Sequence, residues 1–427
     1  MSGVRVIGAV GSPSSPAGAG LRRGTSRGGT TRGGRSAGTR PADGRPVLRW
    51  GGVDWVLLLA VLGLVSLGTM LIWSATANRD SLTGGDPRAF LDKQVVNVVI
   101  GLALMVTVAV VPHRWIRLLT PVAYLASLVG LVLVLVMGST INGSRSWIVI
   151  GGQSLQPSEL AKLTVVVGMA LVLARRLEGR WRPRVGAVEI VLMLAVAGVP
   201  ALLILAQPDL GTMLVLSATV LGVLGVSGAP RRWLALLVGG GVTAAVLAVA
   251  AGVLKAYQVD RFLAFTNPDL DPQGAGYNVE QARIAVGNGG LFGQGLFHGS
   301  QTQSGFVPEQ HTDFVFTVAG EELGLVGAGL LVVLLGVVVW RALAIARLSD
   351  DVFGRVAAAG IACWFGFQAF QNIGMCLGIM PVTGVPLPFV SYGGSSLFAG
   401  LMAVGLLLAI RMRATAPRPM RYTLAAR

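Results

Sequence analysis

The stretch VDWVLLLAVLGLVSLGTMLIWS, residues 53–74, decides how the rest of the chain is read. After Asp54 it runs uncharged to Ser74, and about 20 such residues are what a helix needs to cross a hydrocarbon core about 30 Å thick. A helix apolar on every side has no face suited to water. Further stretches of the same kind follow, and ten spans can be drawn at about 53–74, 94–111, 116–138, 158–175, 187–206, 209–227, 233–254, 314–340, 355–378 and 391–411.

Composition agrees with that division. Of 427 residues, 53% are apolar and 12% charged, against roughly 25% charged in soluble domains; the mean hydropathy is +0.70. The expected fold is therefore an all-α polytopic membrane protein of about ten transmembrane helices. Its net charge of +15 is spread in short clusters between apolar runs, a membrane-topology pattern rather than the continuous basic face of a nucleic-acid binder.

Cytoplasmic loops carry the excess of Lys and Arg. The N-terminal tail, alternate loops and C-terminal end hold 26 of the 34 basic residues, the opposite loops hold seven, and Lys162 lies inside a span. Both termini are thus expected in the cytoplasm, with one long extracytoplasmic loop, residues 255–313, between helices 7 and 8. Residues 1–52 read as a disordered Arg-rich cytoplasmic tail able to touch anionic lipid heads. Residues 53–411 form the membrane domain, and 412–427 a basic cytoplasmic tail. Cys363 and Cys376 sit in apolar stretches as packing residues, and His113, His298 and His311 match no zinc-ligand spacing. No internal repeat is visible, so the inverted-repeat signature of many transporters is missing.

With the N-terminus inside, spans four, six and eight begin at the outer face. Gln156-Pro157-Ser158-Glu159 opens span four, Gln207-Pro208-Asp209 opens span six and Asp313 opens span eight. A proline at the first helical position and an acid in the first turn suit a helix start, so each acid alone could simply complement its helix dipole. Lys162 shifts the reading: it lies three residues after Glu159 within an apolar run, where a charge is costly and is usually paired or functional. Glu321, Glu322, Gln368, Gln371 and Asn372 place further polar groups inside spans eight and nine. In the long loop, Asn278 opens a capping-box-like pattern and so a short surface helix. The glycines at 287, 289, 290, 293 and 295 suit loop movement, close ligand approach or a plain turn.

Four runs then carry a resemblance: Gln156-Pro157-Ser158-Glu159-Leu160-Ala161-Lys162, Gln207-Pro208-Asp209-Leu210-Gly211-Thr212, Pro308-Glu309-Gln310-His311-Thr312-Asp313-Phe314, and Pro386-Leu387-Pro388-Phe389-Val390-Ser391-Tyr392-Gly393-Gly394-Ser395-Ser396. In order and topology they resemble the signatures of the RodA/FtsW/SpoVE (SEDS) family from about residue 53 to 411. Gly320-Glu321-Glu322-Leu323-Gly324 resembles FtsW. Asn142-Gly143-Ser144-Arg145-Ser146-Trp147, Gly299-Ser300-Gln301-Thr302 and Asn372-Ile373-Gly374-Met375 are similar to RodA of actinobacteria, which is favoured.

The resemblance implies a peptidoglycan glycan-strand polymerase of the bacterial inner membrane that uses lipid II, extends an undecaprenyl-linked glycan with inversion and releases undecaprenyl diphosphate. It implies a role in elongation and cell shape, with a division-specific FtsW-type polymerase as the alternative. Asp313 matches the family's essential aspartate and is the candidate catalytic residue, as base or as the group orienting the acceptor. Glu159, Lys162, Asp209, Arg145 and Trp147 are the candidate substrate-binding residues, Lys162, Arg145 and the outward helix N-termini facing phosphate charge. The resemblance fixes no cofactor; a divalent cation, Mg or Mn, between carboxylate and diphosphate is chemically compatible, its ligands unassigned. A class B penicillin-binding protein transpeptidase is the implied partner, alongside membrane lipids. A lipid II flippase and a non-catalytic membrane scaffold are the rival functions; the long external loop favours chemistry outside.

Overall fold

The computed structural model describes residues 52–141, 144–150, 153–178, 185–252 and 274–415. The N-terminal tail before residue 52 and the last twelve residues, 416–427, lie outside them.

Ten helices of 18 residues or more are present among the described residues: α1 (Trp55–Thr76), α3 (Ala89–Val110), α4 (His113–Met137), α5 (Pro157–Leu177), α6 (Ala187–Ala206), α7 (Leu210–Ser227), α8 (Arg231–Ala250), α11 (Val315–Leu348), α12 (Val352–Cys376) and α13 (Gly394–Ala414). Nine of them have the length and apolarity to cross a membrane. The tenth, α5, is 21 residues long with Glu159 in its first turn and Arg175 and Arg176 in its last. Each expected span thus corresponds to one helix. Short helices α2 (Asp80–Thr83), α9 (Ala275–Asn288) and α10 (Ser300–Ser304) lie between them.

The all-α expectation needs correction at one place. Strands β1 (Ser139–Ile141), β2 (Ser144–Ile150) and β3 (Gln153–Leu155) form an antiparallel sheet in the order β1-β2-β3. The sequence puts Asn142-Gly143 and Gly151-Gly152 between the strands, both strong hairpin signals. A search for 20-residue apolar runs passes over strands of three and seven residues.

Helices α5 and α12 form the middle of the bundle; α12 packs on α5, α7 and α11, and α3 on α13. Small residues permit the approach: a methyl on Gly360 of α12 would lie 2.7 Å from Val166 and 2.8 Å from Val223, as expected where helices in lipid gain from close packing. Helix α8 buries none of its residues and stands at the edge. At the end opposite Asp313, the buried carboxylate of Asp54 caps α1 through Leu57 N (3.1 Å) and pairs with Arg341 of α11 (2.7 Å) and Arg411 of α13. One acid thereby ties three helices together.

Helix α11 is broken at Gly324 (φ 65°). The peptide groups freed by the break pair with the glycine-rich segment before α10: Gln294 N to Glu321 O and Gly295 N to Glu322 O, both 3.0 Å, then Leu325 N to Gly290 O (2.9 Å) and Val326 N to Leu291 O (3.1 Å). Unpaired backbone within a bundle is costly. Gly289 and Gly293 therefore serve close backbone approach: a side chain on Gly289 would meet Gly320 O, and one on Gly293 would meet Glu322 O. The expected surface helix is α9, but it starts at Ala275, capped by Gly274, so Asn278 lies inside it and the capping-box reading is not realised.

Candidate functional site

The site is organised around the turn at residues 381–393, whose Leu387, Phe389 and Val390 are buried. Gln368, Gln371 and Asn372 occur at i, i+3 and i+4 on α12 and therefore share a face. Gln368 Nε2 donates to Pro386 O (2.8 Å), Gln371 Nε2 to Thr383 Oγ1 (3.1 Å), and Asn372 Nδ2 to Val385 O (2.8 Å). The same Asn372 Nδ2 also donates to Asp313 O at 2.7 Å. One amide thus holds the backbone of Asp313 against the turn.

Asp313 itself is half-buried, and its carboxylate flanks the turn: a methyl on Gly384 would sit 3.2 Å from Oδ2. Its amide donates to Glu309 O (3.1 Å), while Tyr392 N donates to His311 O (2.9 Å). His311 packs edge-on against Phe90 (5.0 Å) and near Tyr392 (5.7 Å). Burial lowers the pKa of His311 from the usual imidazole value; Glu309 opposes that shift and Arg79 reinforces it. Arg79, which the sequence reading passed over, donates to Gln310 Oε1 (2.5 Å) and so braces the same loop. Its only sequence signal is a cation directly after span one.

Glu159 and Lys162 meet as expected, with Nζ 2.7 Å from Glu159 Oε1. Lys162 has 0% exposure. Its second hydrogen bond goes to Gln368 Oε1 (2.7 Å), which also accepts from Trp364 Nε1 (2.7 Å), and the ammonium lies 5.3 Å from the Trp364 ring centre. The lysine thus reaches the 386 turn through Gln368 rather than opening to a surface.

Asp209 caps α7, accepting from Thr212 N (3.0 Å) and Thr212 Oγ1 (2.8 Å), and Gln156 Nε2 donates to it at 3.1 Å. Gln156 N donates to Ser395 Oγ at 2.8 Å. The starts of α5, α7 and α13 therefore converge. Arg145 is in β2, its backbone paired with Thr140; Trp147, half-buried, follows in the same strand. The side chain of Arg145 lies outside the described residues, as do residues 253–273 of the long loop. Glu321, another singled-out acid, accepts from Gln301 N (2.7 Å) and Thr302 N (2.8 Å), and Glu322 accepts from Ser74 Oγ (2.7 Å). Glu321 holds the loop and Glu322 ties α11 to α1, so neither joins Asp313. Among the described residues no three His, Cys, Asp or Glu side chains converge as a metal cluster.

A helical membrane bundle with a buried ion pair and amide row behind one half-exposed carboxylate defines a class: polytopic proteins with a polar site near one end of the bundle. The FtsW/RodA/SpoVE family model, described as "Cell cycle protein", matches residues 54–416, and the chain belongs to that family. It is 37% identical over 365 residues to the peptidoglycan glycosyltransferase MrdB of Escherichia coli K12, covering 84% of this chain and 93% of that one. It is also 37% identical over 360 residues to the probable peptidoglycan glycosyltransferase FtsW of Trichlorobacter lovleyi, covering 84% and 92%. Among solved structures, a chain of a peptidoglycan synthase complex that coordinates polymerization and crosslinking superimposes with a TM-score of 0.69 at 36% identity, covering 86% of this chain and 99% of that one. The rod shape determining protein RodA of Thermus thermophilus superimposes at 0.62 with 33% identity, covering 86% and 99%.

Proposed function

We propose that this chain is a peptidoglycan glycosyltransferase that polymerises glycan strands from lipid II at the outer face of a bacterial inner membrane. The 4-hydroxyl of the acceptor N-acetylglucosamine attacks the anomeric carbon of N-acetylmuramic acid on a lipid-linked chain. The new C–O bond forms with inversion as the bond to undecaprenyl diphosphate breaks, and Asp313 takes the hydroxyl proton. A diphosphate leaves without a strong general acid, so what the protein must supply is positive charge and N–H donors.

The observation that carries this reading is the anchoring of Asp313. Asn372 holds its carbonyl and that of Val385 together, so the backbone that carries the carboxylate has a fixed place beside the turn. Lys162 acts as a positioning residue through Gln368, and Asp209 shapes the junction of α5, α7 and α13. A divalent cation between carboxylate and diphosphate would supply further positive charge for the leaving group.

Asp313→Asn keeps the side chain's size and removes the base. Purified variant is expected in the membrane at normal levels with polymerisation of labelled lipid II reduced at least about a hundredfold, the low end of what a general base contributes. Near-normal glycan synthesis would remove Asp313 from the mechanism.

We assign the chain to elongation because the runs at 142–147, 299–302 and 372–375 resemble actinobacterial RodA. Its identity to the E. coli MrdB and T. lovleyi FtsW relatives is the same, 37%, so that assignment rests on the motifs. Depletion should round the cells; filaments with blocked septa would mark a division enzyme instead. The partner is a class B penicillin-binding protein whose single apolar helix occupies the groove between α11 and α12, a cavity of about 490 Å³ lined by Val332, Leu335, Val339, Trp340, Phe370 and Ile373.

A further inference from the structure

Gln94 and Asn97 are the least explained polar residues of the bundle. They lie three residues apart on one face of α3 and are 0% and 1% exposed. All four of their amide nitrogen and oxygen atoms lack a hydrogen-bond partner. Buried polar groups are nearly always paired, and an unpaired set calls for a physical account.

Asn97 adjoins the start of α13. A methyl on Gly394, the first residue of that helix, would lie 3.3 Å from Asn97 Oδ1. Helix α13 is 21 residues long, its cap is Gly393, no side chain caps it, and its first turn holds no acid. The hydroxyl of Ser395 is already engaged, accepting from Gln156 N and donating to Ser154 O. The positive end of the α13 dipole thus lies beside Asn97, with Gln94 three residues earlier on the same face of α3. N–H groups at a helix start are suited to phosphate oxygens.

The surroundings suit an anion with an apolar tail. Tyr392, two residues before Gly394, hydrogen-bonds to His311, two residues before Asp313, so this place adjoins the carboxylate's own loop. Phe90, one turn before Gln94 on the same helix, packs against His311 (5.0 Å) and Tyr392 (5.1 Å). Phe90 thus ties this part of α3 to the loop that carries Asp313. Lys93 lies 5.7 Å from the Phe90 ring centre, placing a cation at that edge. On the other side of α3, Val95, Val96 and Val99 are exposed, a surface along which a prenyl chain can lie.

We propose that Gln94, Asn97 and the first-turn amides of α13 form a binding subsite for the diphosphate of the lipid-linked substrate, an inference that rests on the polymerase reading above. Nδ2, Nε2 and the backbone N–H groups donate to the phosphate oxygens. The two amide oxygens accept from water that enters with the anion. Asn97 and Gln94 are unpaired in the ligand-free protein because their partner arrives with the substrate.

The test is a melting series on the full chain in detergent with farnesyl diphosphate, inorganic phosphate or phosphatidylglycerol added. Farnesyl diphosphate should raise the melting midpoint of the natural protein. Gln94→Leu and Asn97→Leu should keep or raise the ligand-free midpoint, because an apolar group of similar shape removes unpaired atoms, and should weaken farnesyl diphosphate binding about tenfold. Asn97→Asp, which keeps the shape and adds negative charge, should weaken it at least as much. Unchanged affinity in Asn97→Asp overturns the subsite even if both leucine variants fail to fold. So does an equal shift from phosphatidylglycerol, which would make it a phospholipid headgroup site, or the lack of any shift in the natural protein. Asp313→Asn should bind farnesyl diphosphate normally; this readout is separate from turnover, so failure of the catalytic assignment and failure of the subsite are distinguishable.

Discussion

Lys162 shows how one residue joins fold and chemistry. Its ammonium is fully buried between Glu159 and Gln368, and a buried charge is tolerated only while its partner remains. Lys162→Met or Glu159→Gln alone should therefore destabilise the detergent-purified protein by about 3–5 kcal/mol. The double variant should recover most of that loss, because no unpaired charge is left. Its turnover should still fall while KM changes little, since Gln368 loses the donor that fixes its grip on Pro386. A raised KM would instead place Lys162 on the substrate's phosphates, and full recovery of activity would make the pair architectural. The pair itself was legible from spacing; its destination was not, because Gln368 is 206 positions away in sequence.

At the scale of elements, the break in α11 and the glycine-rich segment are one device. Gly293 has φ 80° and its α-carbon faces Glu322 O and Gly324 N. Gly293→Val should cost about 1–3 kcal/mol from backbone strain alone and more from the collision, and it should loosen the segment before α10. Gly329→Ala, with open space around it on α11, is the control and should not lower the melting midpoint. Equal melting of the two variants would remove the pairing from the fold's support. The glycines were visible in the sequence, but three uses fitted them equally. Only the partner backbone at 320–324 selects close approach, and it does so for Gly289 and Gly293.

For the molecule as a whole, the groove between α11 and α12 belongs to the fold itself and is still open to a partner. Gly336 lines it, and a β-carbon added there would meet nothing within 4 Å. Gly336→Trp should therefore leave the melting midpoint unchanged while filling the groove, and co-purification with the transpeptidase should drop about tenfold or more, as for a lost interface anchor. Undiminished co-purification would move the partner's helix to another face. The cytoplasmic placement of both termini is a charge argument, checked by reporter fusions: cytoplasmic signal after Arg184 and exterior signal near Gly276.

What this sequence determines alone is the number of the long helices and their approximate limits, because lipid demands an apolar run for each crossing and Pro, Gly and charge fall near its ends. It also displays the four polar runs that carry the family likeness. The small sheet at 139–155 escaped the same reading because its strands are too short to register against helix-length runs. The tertiary structure decides which polar groups meet: Asn372 with Asp313 and Val385, Lys162 with Gln368, the starts of α5, α7 and α13 with one another. Those meetings depend on how the helices turn and cross, and helix rotation is set by packing against distant neighbours, which leaves no local periodic trace in the chain.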